Sequence, residues 1–164
     1  MKTKNSINIF IVDDDPLYLK ALEQSIREKL PFITIKTFST GEECLQQIYR
    51  KPHVVILDYF LDSKVPYARN GLMILQHIKK VNSQTKVIML SVSDSLEVAI
   101  KCFDNGSFDY VSKSESSFVK INKLLQNISD DFSVNNKGLK PYQIIGIIAV
   151  VILLICNLLW NKYR

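Results

Sequence analysis

The chain has 164 residues and a formal net charge of +5, which arises from 21 Lys and Arg against 16 Asp and Glu. This length accommodates one domain with a full hydrophobic core. The basic residues are scattered and form no stripe with interleaved aromatic residues, so we expect no nucleic acid partner. Cys44, Cys102 and Cys156 lack the spacing of metal ligands, which favours small buried side chains in a reducing compartment.

Five short apolar runs recur along the chain and are predicted to be β-strands. In chain order they cover residues 7–12, 32–38, 54–58, 86–90 and 108–112. The third run reads VVILD and is apolar until it ends on Asp58. Such a continuous apolar run is typical of a parallel strand that is buried on both faces.

Each predicted strand is followed by an amphipathic helical pattern. Asp15 is a favourable N-cap for the first helix and Pro16 suits its first turn, while Ser39 with Glu42 predicts a capping box for the second. The apolar residues at helical spacing form one group per helix: Leu19, Leu22, Ile26 and Leu30; Cys44, Leu45 and Ile48; Leu72, Leu75 and Ile78; Leu96, Ala99, Ile100 and Phe103; and Phe118, Ile121, Leu124, Leu125 and Ile128. Strands that alternate with helices predict an α/β fold, in which a five-stranded parallel sheet is doubly wound, with helices on both faces.

Polar side chains stand at the carboxyl ends of four predicted strands. Asp13 and Asp14 follow the first, Asp58 ends the third, Ser91 follows the fourth and Lys113 follows the fifth. Ligands of open parallel sheets bind at this edge, so we expect these side chains to converge. Three carboxylates in one place need a cation, and oxygen ligands suit Mg²⁺. A lysine and a hydroxyl beside them can hold phosphate oxygens, which predicts a site where a carboxylate attacks phosphorus to form an aspartyl-phosphate.

With these five positions, residues 7–128 resemble the receiver domain of two-component response regulators, which has a flavodoxin-like (βα)5 fold. The resemblance implies that Asp58 is the phosphoacceptor. It also implies that Asp13 and Asp14 form the acidic Mg²⁺ pocket together with Asp58, and that Asp14 rather than Asp13 is expected to bind the ion directly. The backbone carbonyl of Phe60 would complete the metal site.

The same resemblance implies roles for three further residues. Ser91 matches the Ser/Thr and Lys113 the Lys that contact the phosphoryl group, and Tyr110 matches the aromatic switch residue that rotates when Ser91 moves toward it. Two positions and one loop depart from the family pattern. Asp62 replaces a usual Pro and precedes a longer loop, and Ser114 replaces the Pro that commonly follows the lysine, which disfavours a cis peptide bond there.

The sequence after the receiver pattern predicts a membrane anchor. Residues 1–128 would form the receiver domain and residues 129–140 a polar tether. Residues 142–160 carry no charge and are long enough to cross a bilayer, so a transmembrane helix is predicted over 141–161, with 162–164 on the far side. An alternative is a C-terminal helix buried against a partner. We expect a tail-anchored protein of the inner membrane with its receiver in the cytoplasm, because phosphodonors are cytosolic.

Together these patterns predict a membrane-anchored response regulator. It would take a phosphoryl group from a histidine kinase or a phosphotransfer protein in a phosphorelay. A downstream protein would then bind a face made by the fourth helix, fifth strand and fifth helix. We expect no enzyme activity beyond self-phosphorylation from a donor and slow self-dephosphorylation. The self-dephosphorylation is expected to be slow because the bulky Phe60 side chain would hinder the attacking water.

Two alternatives remain open at this stage. The first is a phosphorylation-independent adaptor that docks a kinase at the membrane. The second is an aspartyl-phosphate hydrolase, although haloacid-dehalogenase-like enzymes place a second acid two residues after the nucleophile, where this chain has Phe60.

Overall fold

The computed structural model of the chain describes residues 6–61, 70–135, 145–146 and 148–155. The chain divides into two compact units, Met1–Asn127 and Ile128–Arg164. The described strands all lie in the first unit, which also holds the predicted site residues. The second unit contains the end of the last helix of the sheet domain and the helical residues at 145–146 and 148–155.

The described strands form one parallel sheet. They are β1 (Ile7–Val12), β2 (Ile33–Phe38), β3 (Val54–Asp58), β4 (Lys86–Ser91) and β5 (Asp109–Ser112). Their order in the sheet is β2-β1-β3-β4-β5, and every neighbouring pair is parallel. The predicted doubly wound, flavodoxin-like sheet is therefore confirmed. β2 and β5 each begin one residue later than the sequence predicts.

A helix follows each strand, as predicted. The helices are α1 (Pro16–Lys29), α2 (Gly41–Gln47), α3 (Gly71–Val81), α4 (Leu96–Asp104) and α5 (Ser117–Asn135). The predicted cap of α1 is confirmed, because the Asp15 carboxylate accepts hydrogen bonds from the backbone N–H groups of Leu17 and Tyr18. Pro16 occupies the first turn, where no backbone N–H is needed.

The predicted capping box of α2 is displaced by one residue. Thr40, not Ser39, is the N-cap, and its hydroxyl accepts from the backbone N–H of Glu43 at 3.2 Å. The Glu43 carboxylate in turn accepts from the backbone N–H of Ser39 at 3.2 Å. Because the helix begins at Gly41, Glu43 rather than Glu42 occupies the third helical position that the box requires.

One face of the sheet packs against α2, α3 and α4. The buried residues of this core cluster are Phe10, Val12, Phe38, Cys44, Ile48, Val55, Leu57, Ile74, Leu75, Ile78, Val87, Met89 and Cys102. The prediction that cysteines are buried apolar residues is confirmed for Cys44 and Cys102, which are free thiols; Cys156 lies outside the described residues. On the other face, α1 and α5 meet through a hydrogen bond of 2.8 Å between Asn122 and Ser25.

The apolar group predicted for α4 does not face the sheet. Leu96, Ile100 and Phe103 are exposed, Leu96 to 74%, whereas Cys102 is buried and Val98 packs against the core cluster. Val98 and Cys102 are four residues apart and share one side of the helix. The helix therefore turns a different side to the sheet from the one that hydrophobicity alone predicts, and its largest apolar side chains are left on the surface.

The region after residue 128 differs in part from the prediction. α5 continues to Asn135, so residues 129–135 of the predicted tether are helical; they contain no Gly or Pro that would end a helix. Within the described ranges, no helix is both long and apolar enough to cross a membrane. About half of the predicted transmembrane helix over 141–161, namely residues 141–144, 147 and 156–161, lies outside those ranges, and residues 136–140 and 162–164 lie outside them entirely.

Candidate functional site

The sheet register brings the predicted site residues to one edge. Asp58 is in register with Leu90, and the backbone N–H of Tyr59 donates to the Leu90 carbonyl at 2.8 Å. The next strand is joined in the same way, since the backbone N–H of Lys113 donates to the Ser91 carbonyl at 2.7 Å. The carboxyl ends of β3, β4 and β5 therefore lie side by side, which places their last side chains above the same crevice.

Lys113 connects two of the three predicted carboxylates. Its Nζ donates to Asp58 Oδ2 at 2.7 Å and lies 2.6 Å from Asp13 Oδ2. The Lys113 side chain is 12% exposed, and both carboxylates are buried. A buried ion pair of this kind is held together mainly because either charge alone would be costly away from water.

The two buried carboxylates share one cation, so one negative charge remains uncompensated in the site. Burial raises the pKa of both Asp13 and Asp58, and the contacts with Lys113 offset only part of this effect. For Lys113, burial acts to lower the pKa, but the hydrogen bonds and charges of the two aspartates outweigh it and the pKa is raised overall. The site as it stands thus favours one more positive charge.

Asp13, Asp14 and Asp58 together fit a divalent cation. One carboxylate oxygen from each residue lies within 4.8 Å of the others. Asp14 is exposed to solvent, whereas Asp13 and Asp58 are buried. Among the described residues, Asp13 Oδ2 has no hydrogen-bond partner besides its ion pair with Lys113. Oxygen donors that carry excess negative charge and keep free lone pairs are what Mg²⁺ requires.

Ser91 and Tyr110 are joined through the loop after β4. Ser91 is fully buried, and its Oγ accepts from the backbone N–H of Ser93 at 3.1 Å. The Tyr110 hydroxyl donates to the carbonyl of that same Ser93. Burial raises the pKa of Tyr110, so its hydroxyl stays protonated as a donor. Ser93 therefore links the two side chains, and a movement of Ser91 would change the environment of the Tyr110 hydroxyl.

Phe60 borders the predicted acceptor. Its backbone N–H donates to Asp58 Oδ1 at 3.2 Å, and its half-exposed ring meets the ring of Tyr59 edge-on at 4.8 Å. The carboxylate of Asp58 is thus fixed from two sides, by Phe60 at one oxygen and by Lys113 at the other. The metal-binding role of the Phe60 carbonyl stays a prediction.

The departures from the family pattern leave the lysine in place. In the described residues no peptide bond is cis, so the bond between Lys113 and Ser114 is trans, as the sequence predicts. Lys113 nevertheless reaches both aspartates. Asp62 and most of the long loop lie outside the described residues.

Two features near the site were not predicted. Gly71 packs on the backbone of Asp58 so tightly that a Cβ atom would lie 2.1 Å from the Asp58 carbonyl oxygen, and its N–H donates to the Tyr59 carbonyl at 3.0 Å. The ring of Tyr18 lies 4.6 Å from Lys113 Nζ. A glycine at a helix start hints at close packing, but nothing in the spacing of Tyr18 singles it out, because it contacts residues almost a hundred positions away.

The order of the sheet and the acidic, lysine-bridged edge define a doubly wound α/β protein with a charged site at the carboxyl ends of its strands. A family model for the response regulator receiver domain matches residues 9–128. The chain belongs to this family, and these residues are the receiver domain of a two-component response regulator.

Solved receiver domains share this fold. The BeF₃-activated DrrB receiver domain is 31% identical, with a TM-score of 0.65, and the match covers 77% of this chain and 99% of that one. The receiver domain of the Francisella response regulator 1452 is 25% identical, with a TM-score of 0.66 over 77% of this chain and 99% of that one.

Curated relatives are larger proteins. The DNA-binding transcriptional regulator NtrC of Escherichia coli K12 is 30% identical over 105 residues, which are 64% of this chain and 21% of NtrC. The protein-glutamate methylesterase/protein-glutamine glutaminase of Desulfotalea psychrophila is 28% identical over 141 residues, or 81% of this chain and 37% of that protein. The chain spans less than half the length of the curated relatives that it matches.

Proposed function

We propose that this receiver accepts a phosphoryl group on Asp58 from a histidine kinase or a phosphotransfer protein. The observation that carries the proposal is the ion-paired Asp58, with Lys113 Nζ at 2.7 Å and the carboxylates of Asp13 and Asp14 beside it. This arrangement supplies a nucleophile, a cation for the phosphoryl oxygens and an acidic pocket. Phosphoryl transfer depends mostly on positioning and charge stabilisation, which are what these groups provide.

In the proposed transfer, an oxygen of ionised Asp58 forms a bond to phosphorus. The bond between phosphorus and the donor nitrogen or oxygen breaks, and its electron pair leaves with the donor. No general base is required, because an ionised carboxylate has no proton to lose. Lys113 would pass from the Asp58 oxygen to a phosphoryl oxygen and the Ser91 hydroxyl would donate to another. Mg²⁺ would be held by Asp13, Asp14, Asp58 and the Phe60 carbonyl, and when bound it neutralises phosphoryl charge.

The proposed output is a change in the face made by α4, β5 and α5. Movement of the Ser91 hydroxyl toward the phosphoryl group would lengthen the hydrogen bond that it accepts from the Ser93 N–H, and the Ser93 carbonyl also accepts from the Tyr110 hydroxyl. The neighbouring α4 exposes large apolar side chains, including Leu96 and Ile100. An exposed apolar patch is typical of a protein-binding surface, which supports a downstream protein partner here.

Intact mass spectrometry after treatment with Mg²⁺ and acetyl phosphate tests the phosphoacceptor. The full chain should gain one phosphoryl group, and Asp58→Asn should gain none. Asp109→Asn is a matched control, because Asp109 lies at the amino end of β5, away from the site. An unmodified wild-type chain, or equal modification of wild type and Asp58→Asn, would refute the proposal. Purified histidine kinases and phosphotransfer proteins then identify the donor.

We also propose that residues 142–160 anchor the receiver to the inner membrane, on the support of their uncharged, apolar sequence. The full chain should remain with membranes after a carbonate wash. A charge near the bilayer centre is far more costly than one near the interface. Val151→Arg should therefore release the chain, whereas Gln143→Arg, near one end, should not. Release of the wild-type chain by carbonate would refute the anchor.

We propose no catalytic turnover for this chain beyond slow loss of its own phosphoryl group. Phe60 stands where a hydrolase of the aspartyl-phosphate type would need a second acid. Steady hydrolysis of a small phosphoester by wild type but not by Asp58→Asn would contradict this. If the chain is instead a phosphorylation-independent adaptor, the Asp58→Ala variant should still bind its partner.

A further inference from the structure

The aromatic ring of Tyr18 forms one wall around the Lys113 ammonium. Lys113 Nζ lies over the ring at 4.6 Å from its centroid, within the range of a cation–π contact. The same ammonium donates to Asp58 and pairs with Asp13. Because the Lys113 side chain is only 12% exposed, little of this contact is weakened by water.

The three neighbours of the ammonium differ in how they depend on phosphorylation. Asp58 is the proposed acceptor, so its contact with Lys113 must be remade when the phosphoryl group arrives. Asp13 belongs to the proposed metal pocket, so its oxygens would be shared with a cation. The Tyr18 ring takes part in neither change, and its contact with Lys113 can persist through the transfer.

The ring is itself held by the start of α5. Tyr18 meets the ring of Phe118 edge-on, at 5.3 Å between centroids, and the hydroxyls of Tyr18 and Ser117 lie 3.4 Å apart. Ser117 is buried, and these α5 residues follow Lys113 closely in the chain. The backbone N–H of Tyr18 is fixed by the Asp15 cap. The ring is thus fixed between the first turn of α1 and the segment that carries the lysine.

We propose that Tyr18 is a positioning residue that keeps the Lys113 ammonium in the site while Asp58 gains its phosphoryl group. This inference rests on the proposed function of Asp58. A side chain without an aromatic face would leave one side of the ammonium without an electron-rich neighbour. Lys113 would then reach more water-facing conformations, and ordering it on the phosphoryl group would cost binding free energy.

Fluorescence or NMR titration of the full chain with BeF₃⁻ and Mg²⁺ tests this inference. Tyr18→Leu should weaken BeF₃⁻ binding by about fivefold, a factor in keeping with the loss of one partly desolvated cation–π contact. Tyr18→Phe keeps the ring and should bind within about twofold of wild type, since only the hydroxyl contact is lost. Phe118→Leu disturbs the neighbouring packing without removing the Tyr18 ring, and should behave like Tyr18→Phe.

The NMR signals of the Lys113 side chain give a second readout, which needs no phosphate analogue. The ring current of Tyr18 should shift the Lys113 Hε signals upfield in wild type and in Tyr18→Phe, and the shift should disappear in Tyr18→Leu. A general loss of packing would affect Phe118→Leu as well, and circular dichroism melting of each variant reports it directly.

The outcomes separate this inference from the proposed function. A wild-type chain that does not bind BeF₃⁻ refutes the phosphoacceptor. A wild-type chain that binds, with equal affinity in Tyr18→Leu, refutes only the role of Tyr18. If Tyr18→Leu slows transfer from a histidine kinase but leaves BeF₃⁻ binding and the Lys113 signals unchanged, Tyr18 contacts the donor protein and the positioning role is wrong.

Discussion

Gly71 and Asp58 are in direct backbone contact. A Cβ atom on Gly71 would lie 2.1 Å from the carbonyl oxygen of Asp58 and 2.8 Å from the Cα of Tyr59. Both of these neighbours are backbone atoms, which cannot rotate out of the way. The start of α3 therefore rests on the end of β3, and the position of the proposed acceptor depends on the absence of a side chain at residue 71.

Gly71→Ala should displace β3 or α3 and disturb the site. Overpacking of this kind costs about 1–3 kcal/mol, so we expect a lower free energy of unfolding by about that amount and slower phosphorylation of Asp58. Chemical denaturation and acetyl phosphate labelling measure the two effects. Gly106→Ala tests whether the site is specifically affected, because Gly106 has a positive φ of 86° and its nearest neighbouring atoms belong to the Lys79 side chain. Normal labelling in Gly71→Ala would contradict the expectation.

Asp13→Asn should stabilise the metal-free protein at neutral pH. Burial raises the pKa of Asp13 in the folded state above its ordinary value. A carboxyl group whose pKa is raised in the folded state contributes its full stabilisation at pH values below the unfolded-state pKa. This stabilisation is lost as the pH rises through the folded-state pKa. At pH 7 the ionised group is thus a net cost, which Asn removes while Asp58 still pairs with Lys113.

Thermal melting with and without Mg²⁺ checks this expectation. Wild type should gain stability when Mg²⁺ is added, since a ligand that binds the folded state stabilises it. Asp13→Asn should melt higher than wild type without metal and gain less from Mg²⁺. The difference between the two proteins should shrink as pH falls. A variant that melts lower than wild type at pH 7 without Mg²⁺ would show that the Lys113 ion pair outweighs burial.

Phe60→Asn should shorten the lifetime of phosphorylated Asp58. The Phe60 backbone is hydrogen-bonded to Asp58 Oδ1, and its ring is half exposed at the site. A small polar side chain there would open space for water and could orient it toward phosphorus. Loss of the phosphoryl group can be followed by Phos-tag electrophoresis after removal of the donor.

Phe60→Leu keeps an apolar side chain and serves as the first control. Phe108→Asn removes another partly exposed ring, just before β5, and serves as the second. Both should keep a lifetime close to that of wild type. Equal lifetimes for wild type and Phe60→Asn would mean that the ring does not limit access of water.

The Cys44 thiol should be unreactive in the native protein. Cys44 is fully buried, and burial raises its pKa to about 12. Since the thiolate is the reactive form, iodoacetamide at pH 8 should modify Cys44 only after unfolding. Peptide mapping of residue 44 with and without denaturant measures this. Modification of native Cys44 as rapid as in denaturant would show that the core opens near α2.

Much of the fold could be predicted because its signals are local. The ends of β3 and β4 are marked by Asp58 and Ser91, where apolar runs stop, and the cap of α1 is set by Asp15 within one turn. The convergence of Asp13, Asp58 and Lys113 also followed from local signals, because parallel strands place their carboxyl ends at the same edge.

The rotation of α4 could not be predicted in this way. Its apolar residues surround more than one side of the helix, so hydrophobic spacing allows several faces to point inward. The face that is buried depends on how Val98 and Cys102 fit the core cluster of the sheet, α2 and α3. This is a question of shape between distant segments, and the spacing of residues within α4 carries no information about it.

The amino-acid sequence alone thus determined the strand and helix order, the parallel sheet and the residues at its carboxyl edge, because these depend on neighbours a few positions apart. Only the tertiary structure decided that Gly71 supports Asp58, that α4 exposes Leu96, and that Tyr18 contacts Lys113. Those contacts join residues far apart in the chain and depend on packing at the scale of single atoms.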